Sequence, residues 1–418
     1  MSTQTKLLRV AVFYSKLHEY SRIGAYLSAF EKVVKEAGLA DYYLGAYSSS
    51  ELVDLAAKNA VVFVASGGTS TAVFEASKSA SRAYLVYHEE HNSLASATNA
   101  ASMLGYYGVS ARLLSLEEFE RLAPRLSRAV KALEALGRSR ILVVGGLPRW
   151  TARTGADEQV KKQLGVEVVV VSMSEAKRLL EKHANEAKKL AEELAAGASK
   201  VEVDAKGVEA ASGFYYALRD LAEKYKTDAL AVKCFDMLED FGFTGCIGVA
   251  EFTARNGIAA CEADIHAAVA MKALKHLAGS DPWVGNVSYV GSGKLELSHC
   301  VISRRLVKSY ELTTHFESGL PVSIRGFVEE GSEATIVGYN SLKKLWRVIK
   351  ARVARGSPTS RHKCRTQVLF EVPESASKAI LEEPIEGHYV VVFRDVFEEA
   401  RLFGELAGLR VDAHNSLV

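Results

Sequence analysis

Between the apolar run Gly257–Ala260 and a helix-patterned stretch Ile265–Leu277 stands Cys261-Glu262-Ala263-Asp264, two carboxylates at a strand-to-helix turn. Acids so placed can hold a hard cation or move a proton. Asp264 is equally able to cap the helix that follows it. Glu262 adjoins buried-type sequence and needs a partner, of which a metal ion is one. A second group, HEEHNSLASA at His88–Ala97, sets His88, His91 and Asn92 at the carboxyl end of an expected strand, where α/β proteins collect ligands. Ser93 is available there as a helix cap. His388 opens the apolar run HYVVVF, where a histidine is either satisfied by a backbone carbonyl or serves as a metal ligand. Gly67-Gly68-Thr69 lies between strand and helix and could cradle an anion, but neither it nor Gly145-Gly146 has full dinucleotide or P-loop spacing.

These residues need elements to position them. From Leu7 to about Leu136, short β-branched runs (Val10–Tyr14, Ala60–Ala65, Ala83–His88, Val109–Leu114) alternate with stretches that predict helices from near Tyr20, Glu51, Thr71, Ser93 and Glu117. The pattern restarts at Ile141 with ILVVGG, continues through Val166–Ser172 and returns at Asp228–Cys234. Between the last two strands, Ser174 to about Leu194 and Gly207 to about Lys224 carry helical periodicity. After about Gly279 the runs KLELSHCVIS, YELTTHF and ATIVGY alternate with the two-residue period of antiparallel strands, and HYVVVF precedes a helix over Val396–Ala407. The fold class expected is α/β. Two doubly wound domains with parallel sheets, 1–138 and 139–280, precede a β-rich, barrel-like domain, 281–418; the second carries Glu262 and the third His388.

A chain of 418 residues calls for more than one core. No apolar run approaches the roughly 18 residues of a membrane helix, and the start of the chain lacks the basic and apolar regions of an export signal, so a cytoplasmic protein is expected. Five cysteines without CxxC spacing predict free thiols. A net charge of +2 gives no overall bias toward nucleic acid.

The stretch from Cys261 to Asn286 resembles the catalytic segment of L-fucose and L-arabinose isomerases. So does the closing segment, Gly387-His388 through LRVDAHN with His414. VVGGLPRW, HNSLASA and Ser298-His299-Cys300 resemble further landmarks of the short archaeal and bacterial relatives. The resemblance implies aldose–ketose isomerisation through an enediol, with a divalent metal, manganese, held by Glu262, Asn286 and His388. It places the acid–base roles at Glu262 and Asn286, with Asp264 available to replace the carboxylate that Asn286 lacks; His299 and His414 are further candidates for sugar contacts, as are His91 and Asn92 at their strand's carboxyl end. It also implies a homo-oligomer, trimer or hexamer. Asn286 stands where those isomerases have an aspartate, and an amide cannot accept a proton; a sugar-binding protein without isomerase chemistry is therefore the alternative.

Between Glu333 and Glu371 there is no acid, while lysines and arginines crowd Lys343–Arg365. This run is either a solvated or subunit-contacting face, or a wall for a phosphorylated or sulfonated sugar. Only Trp346 interleaves it as an aromatic ring between Lys343 and Arg365, which weighs against nucleic acid as the partner.

Overall fold

The computed structural model describes residues 6–18, 20–51, 53–148, 155–255 and 257–416. The chain divides into two compact units, one made of residues up to Glu134 together with Leu402–Gly408, the other of Ala135–Arg401 and the residues from Leu409 on.

The first unit alternates β1 (Lys6–Tyr14), α1 (Tyr20–Glu36), β2 (Tyr43–Ser48), β3 (Ala57–Val64), α2 (Ser70–Ser77), β4 (Arg82–Tyr87), α3 (Ser93–Tyr106), β5 (Ser110–Ser115) and α4 (Leu116–Gly137). All five strands run parallel in the order β2-β1-β3-β4-β5, a doubly wound sheet. The central strands read as unbroken apolar runs because both faces are covered. Two expectations need correction. Residues 51 and 53–56 form no helix: they lead directly into β3, with Leu55 N–H bonded to Ala76 O at 3.0 Å. The missing element is instead β2, an edge strand whose half-covered alternation lacks an apolar run.

The second unit contains β6 (Arg140–Val144), α5 (Ala156–Leu164), β7 (Glu167–Val171), α6 (Met173–Leu180), α7 (Ala184–Gly197), β8 (Lys200–Val201), α8 (Ala205–Lys224), β9 (Ala229–Val232), α9 (Met237–Phe241), α10 (Cys246–Arg255), β10 (Ile258–Ala260) and α11 (Ile265–Ala278). There follow β11 (Trp283–Gly291), β12 (Lys294–His299), β13 (Ser309–Thr314), β14 (Pro321–Phe327), β15 (Glu333–Asn340), β16 (Leu345–Arg355), β17 (Thr366–Glu371), α12 (Glu374–Glu382), β18 (His388–Val392), α13 (Phe397–Ala407) and β19 (Arg410–His414). A parallel sheet, β10-β9-β6-β7, precedes a closed antiparallel barrel in which β11, β12, β17, β16, β15 and β18 pair in a ring, with β19 added parallel to β16. The expected α/β class with a barrel-like end is borne out. One apolar core runs through this unit from Leu142 in the sheet to Val391 in the barrel.

Helix α11 links the two layers. It meets β9 and β10 on one side and β15 and β18 on the other. Its residues are accordingly apolar nearly all round, as a helix covered on two sides must be. In β18, Tyr389 and Val391 enter the core, so His388 and Val390 take the opposite face.

Candidate metal centre

The chain leaves β10 through a turn that only a few residue types tolerate. Glu262 (φ 58°) and Ala263 (φ 50°) are both left-handed, a conformation that costs a non-glycine residue roughly 1–2 kcal/mol. The turn is pinned by Ala263 N–H to Val232 O at the end of β9 (2.9 Å) and closed by Asp264 N–H to Cys261 O (3.0 Å). Asp264 then starts α11 and is fully buried. One carboxylate oxygen accepts from Ala267 N–H at 2.9 Å, capping the helix; the other lies 2.8 Å from His388 Nδ1. Asp264 thus caps the helix, as the sequence allowed, and with its other oxygen fixes the His388 ring.

With Nδ1 held, the Nε2 of His388 faces Glu262, whose Oε1 lies 3.5 Å away. His299, at the end of β12, brings a third ring, its centroid 5.6 Å from that of His388. Ligand atoms of Glu262, His299 and His388 all lie within 4.8 Å of one another. Ligands sharing one ion are separated by at most about twice a bond of roughly 2.0–2.6 Å, so this spacing suits a shared cation. His299 supplies the sharper observation: it is buried, and neither ring nitrogen has a hydrogen-bond partner among the described residues. An unpaired buried group of this kind costs about 1–3 kcal/mol, which a cation or a ligand hydroxyl would offset. Two imidazoles and a carboxylate, with a carboxylate behind one imidazole, fit a divalent transition metal.

The electrostatics agree. Burial opposes the charge of His388, but the Asp264 and Glu262 carboxylates outweigh it and raise its pKa to about 9. Burial, helped by the charge of His388, pushes His299 down to about 4. At neutral pH His299 is therefore a neutral imidazole, the form that binds metals.

A second cluster, Asp264, His266 and Glu386, adjoins the first through the hydrogen bond between Asp264 and His388. Its chemistry differs. His266 Nδ1 is bonded to Glu386 and Nε2 to Ser341 Oγ at 2.7 Å, while Asn340 donates to the same Glu386 oxygen at 3.1 Å. Both ring nitrogens being committed, this is a buried hydrogen-bond network beside Asp264. Sequence reasoning did not find it; a histidine two residues after a capping aspartate was its one signal.

The remaining candidates fall as follows. Asn286 stands directly opposite His388 in the β11–β18 ladder, hence on the same face of the sheet. His414 lies on β19, its ring held by Asp412 (2.9 Å) and Ser375 (2.9 Å), and is not brought into the cluster. His91 and Asn92, both left-handed, belong to the first unit and lead from β4 into α3, with the His91 ring 5.5 Å from that of His18. Ser93 does not cap α3: its hydroxyl bonds Val64 O, while Asn92 holds the capping position. The amides of Gly67 and Thr69 are already engaged, by His91 O (2.7 Å) and Ser96 Oγ (3.1 Å). All five cysteines are free, as expected. Among the described residues no helix is long and apolar enough to cross a membrane.

No protein-family model matches the chain. It is similar to a protein named sulfoquinovose isomerase from Alkalicoccus urumqiensis, with 27% identity over 212 residues, 47% of this chain and 47% of that protein. Proteins of the same name from Priestia aryabhattai and Priestia megaterium are 25% identical to it over 317 residues, 71% of this chain and 68% of each of theirs. The match to the Alkalicoccus protein thus spans about half of that protein's length.

Proposed function

We propose that the protein is a divalent-metal-dependent aldose–ketose isomerase whose sugar substrate carries an oxyanion such as a sulfonate. The observation that carries this reading is the buried cluster of Glu262, His299 and His388, with Asp264 orienting His388. The similarity to proteins named sulfoquinovose isomerase supports both the reaction and the substrate class. Glu262, His299 and His388 would hold the ion, with Asn286 as a neutral oxygen donor from the neighbouring strand. A divalent ion supplies Lewis acidity, polarising neighbouring sugar oxygens and easing formation of the enediolate.

The protein's own groups divide the rest. Asp264 has both oxygens engaged in the fold and serves to orient. The Asn286 amide is neither an acid nor a base near neutral pH. Transfer between C2 and C1 therefore falls to Glu262, whose carboxylate is 18% exposed where its neighbours are almost completely covered. His299, neutral, either binds the ion or donates to a hydroxyl. The same reading expects a cytoplasmic homo-oligomer with manganese as the metal.

The test is exchange of the C2 hydrogen of 6-sulfonated glucose in deuterated buffer with manganese. Deuterium should enter the sugar, and Glu262→Gln should abolish its entry. The neutral amide at Asn286 favours a second reading, a sugar-binding protein without turnover. That reading predicts calorimetric binding of the sulfonated sugar with no exchange. In either case Asn286→Asp should tighten manganese binding by adding a charge; unchanged affinity would remove Asn286 from the ligand set.

A further inference from the structure

Four of the nine lysines and arginines in the Lys343–Arg365 run meet carboxylates within the chain. Arg347 meets Asp412 and Lys350 meets Asp395, each at 2.7 Å, and Glu296 takes both Arg355 and Lys363. Arg361 and Arg365 differ. Both line a cavity of about 830 Å³ beside β8, β13 and β14, together with Lys200, Glu202, Glu311 and Arg325. The two acids there are taken: Glu311 by Arg325 at 2.5 Å, Glu202 by Lys200 at 2.6 Å and by the Thr313 hydroxyl at 2.7 Å. Arg365 touches only neutral oxygens, Thr314 O (2.8 Å) and Oγ1 (3.3 Å), and neither it nor Arg361 has a carboxylate partner among the described residues. Once paired charges are set aside, two guanidinium groups remain facing one polar cavity.

The loop that presents them is fixed. Gln367, fully buried, accepts from Thr359 N–H (3.0 Å) and Ser360 N–H (3.1 Å) and donates to Ser360 O (2.7 Å) and Cys364 O (3.0 Å). Two arginines on a braced loop, with the Thr359 and Ser360 side chains beside them, form a fork-shaped receptor for a tetrahedral anion. Arg365 also precedes Thr366, the ladder partner of His299. We propose that this cavity is an oxyanion site that takes a sulfonate or phosphate group between Arg361 and Arg365. The site itself rests on the side chains that line it; that the anion belongs to the sugar substrate rests on the function proposed above.

Calorimetry on the full-length protein tests it with inorganic sulfate, 6-sulfonated glucose and glucose as probes, in wild type, Arg361→Gln, Arg365→Gln and the double variant. Sulfate affinity should fall about tenfold in each single variant and vanish in the double, with melting temperature and manganese affinity unchanged. Arg361 is exposed, so its replacement leaves the fold intact. Added salt should weaken sulfate binding to the wild type, since a Debye length of about 8 Å screens the guanidinium charges. Parallel loss of affinity for 6-sulfonated glucose but not for glucose identifies the anion as the substrate's own. Loss confined to inorganic sulfate keeps the oxyanion site and overturns its assignment to the substrate. Equal sulfate binding by wild type and double variant overturns the site. His388→Asn, which removes a ligand of the proposed ion, should leave sulfate binding intact, so failure of the isomerase reading registers separately.

Discussion

Asp264 joins two tasks in one side chain, and asparagine separates them. Asn caps helices as well as aspartate but brings no charge to His388 Nδ1. Asp264→Asn should therefore keep the helix cap but lower the melting temperature of the metal-free protein at neutral pH, because the buried His388 imidazolium loses its nearest counter-charge, and manganese affinity, read by calorimetry, should fall about 10–100-fold, the usual cost of losing an orienting carboxylate. His388 makes the protein's stability depend on pH in a defined sense. Its pKa rises from 6.5 to about 9 on folding, so the native state holds the proton more tightly. The resulting stabilisation, roughly 3 kcal/mol at most, is complete below pH 6.5 and is lost as pH rises through 9. His299, lowered to about 4, acts oppositely and withdraws stability as pH falls from 6.5 towards 4. Thermal melts in a chelator should thus decline from pH 6.5 to 9, and saturating manganese, which replaces the proton on Nε2, should flatten that limb. A slope indifferent to manganese would place the ion elsewhere.

The elements explain what the sequence could disclose. The parallel strands were legible because burial on both faces leaves continuous apolar runs, whereas β2, at a sheet edge, alternates and left no such mark. Glu262 and Asp264 stood out because acids at a strand-to-helix turn invite a reason. Their meeting with His388 depends on α11 being packed between sheet and barrel, a long-range fact that no local pattern encodes. His299 was read as a sugar contact, and its place beside Glu262 follows from closure of the barrel, which no single strand reveals. That closure also sets a steric limit. A Cβ on Gly338 would stand 2.6 Å from Tyr389 Cε1, and Tyr389 adjoins His388 in β18. Gly338→Ala should cost about 1–3 kcal/mol in denaturant unfolding and weaken manganese binding as well. A stable variant with normal affinity would show that the ring yields without moving its neighbour.

At the scale of the molecule, every candidate ligand belongs to the second compact unit. Manganese should therefore slow hydrogen exchange chiefly around Ala260–Ala278, His299 and His388, and leave the amides of β1 and β3–β5 largely as they were. At 100 times its dissociation constant the ion would add about 2.7 kcal/mol to the stability of the structure it binds. Protection spread evenly over both units would instead mean that they open as one.

The first unit, meanwhile, is not continuous in the chain: it takes back Leu402–Gly408. The amide of Asn59, on β3 and fully buried, donates to Leu406 O at 3.1 Å, and Lys58 Nζ reaches Ala407 O at 2.8 Å. On the ribosome those acceptors are made long after β3. At about 5–20 residues per second the delay is on the order of tens of seconds, during which the earliest sheet has left the exit tunnel with its last covering segment still unsynthesised. The nascent chain thus carries a timed vulnerability: slowing translation between Glu134 and Leu402 would prolong it, and a holdase binding the half-built sheet should dissociate once Gly408 has emerged.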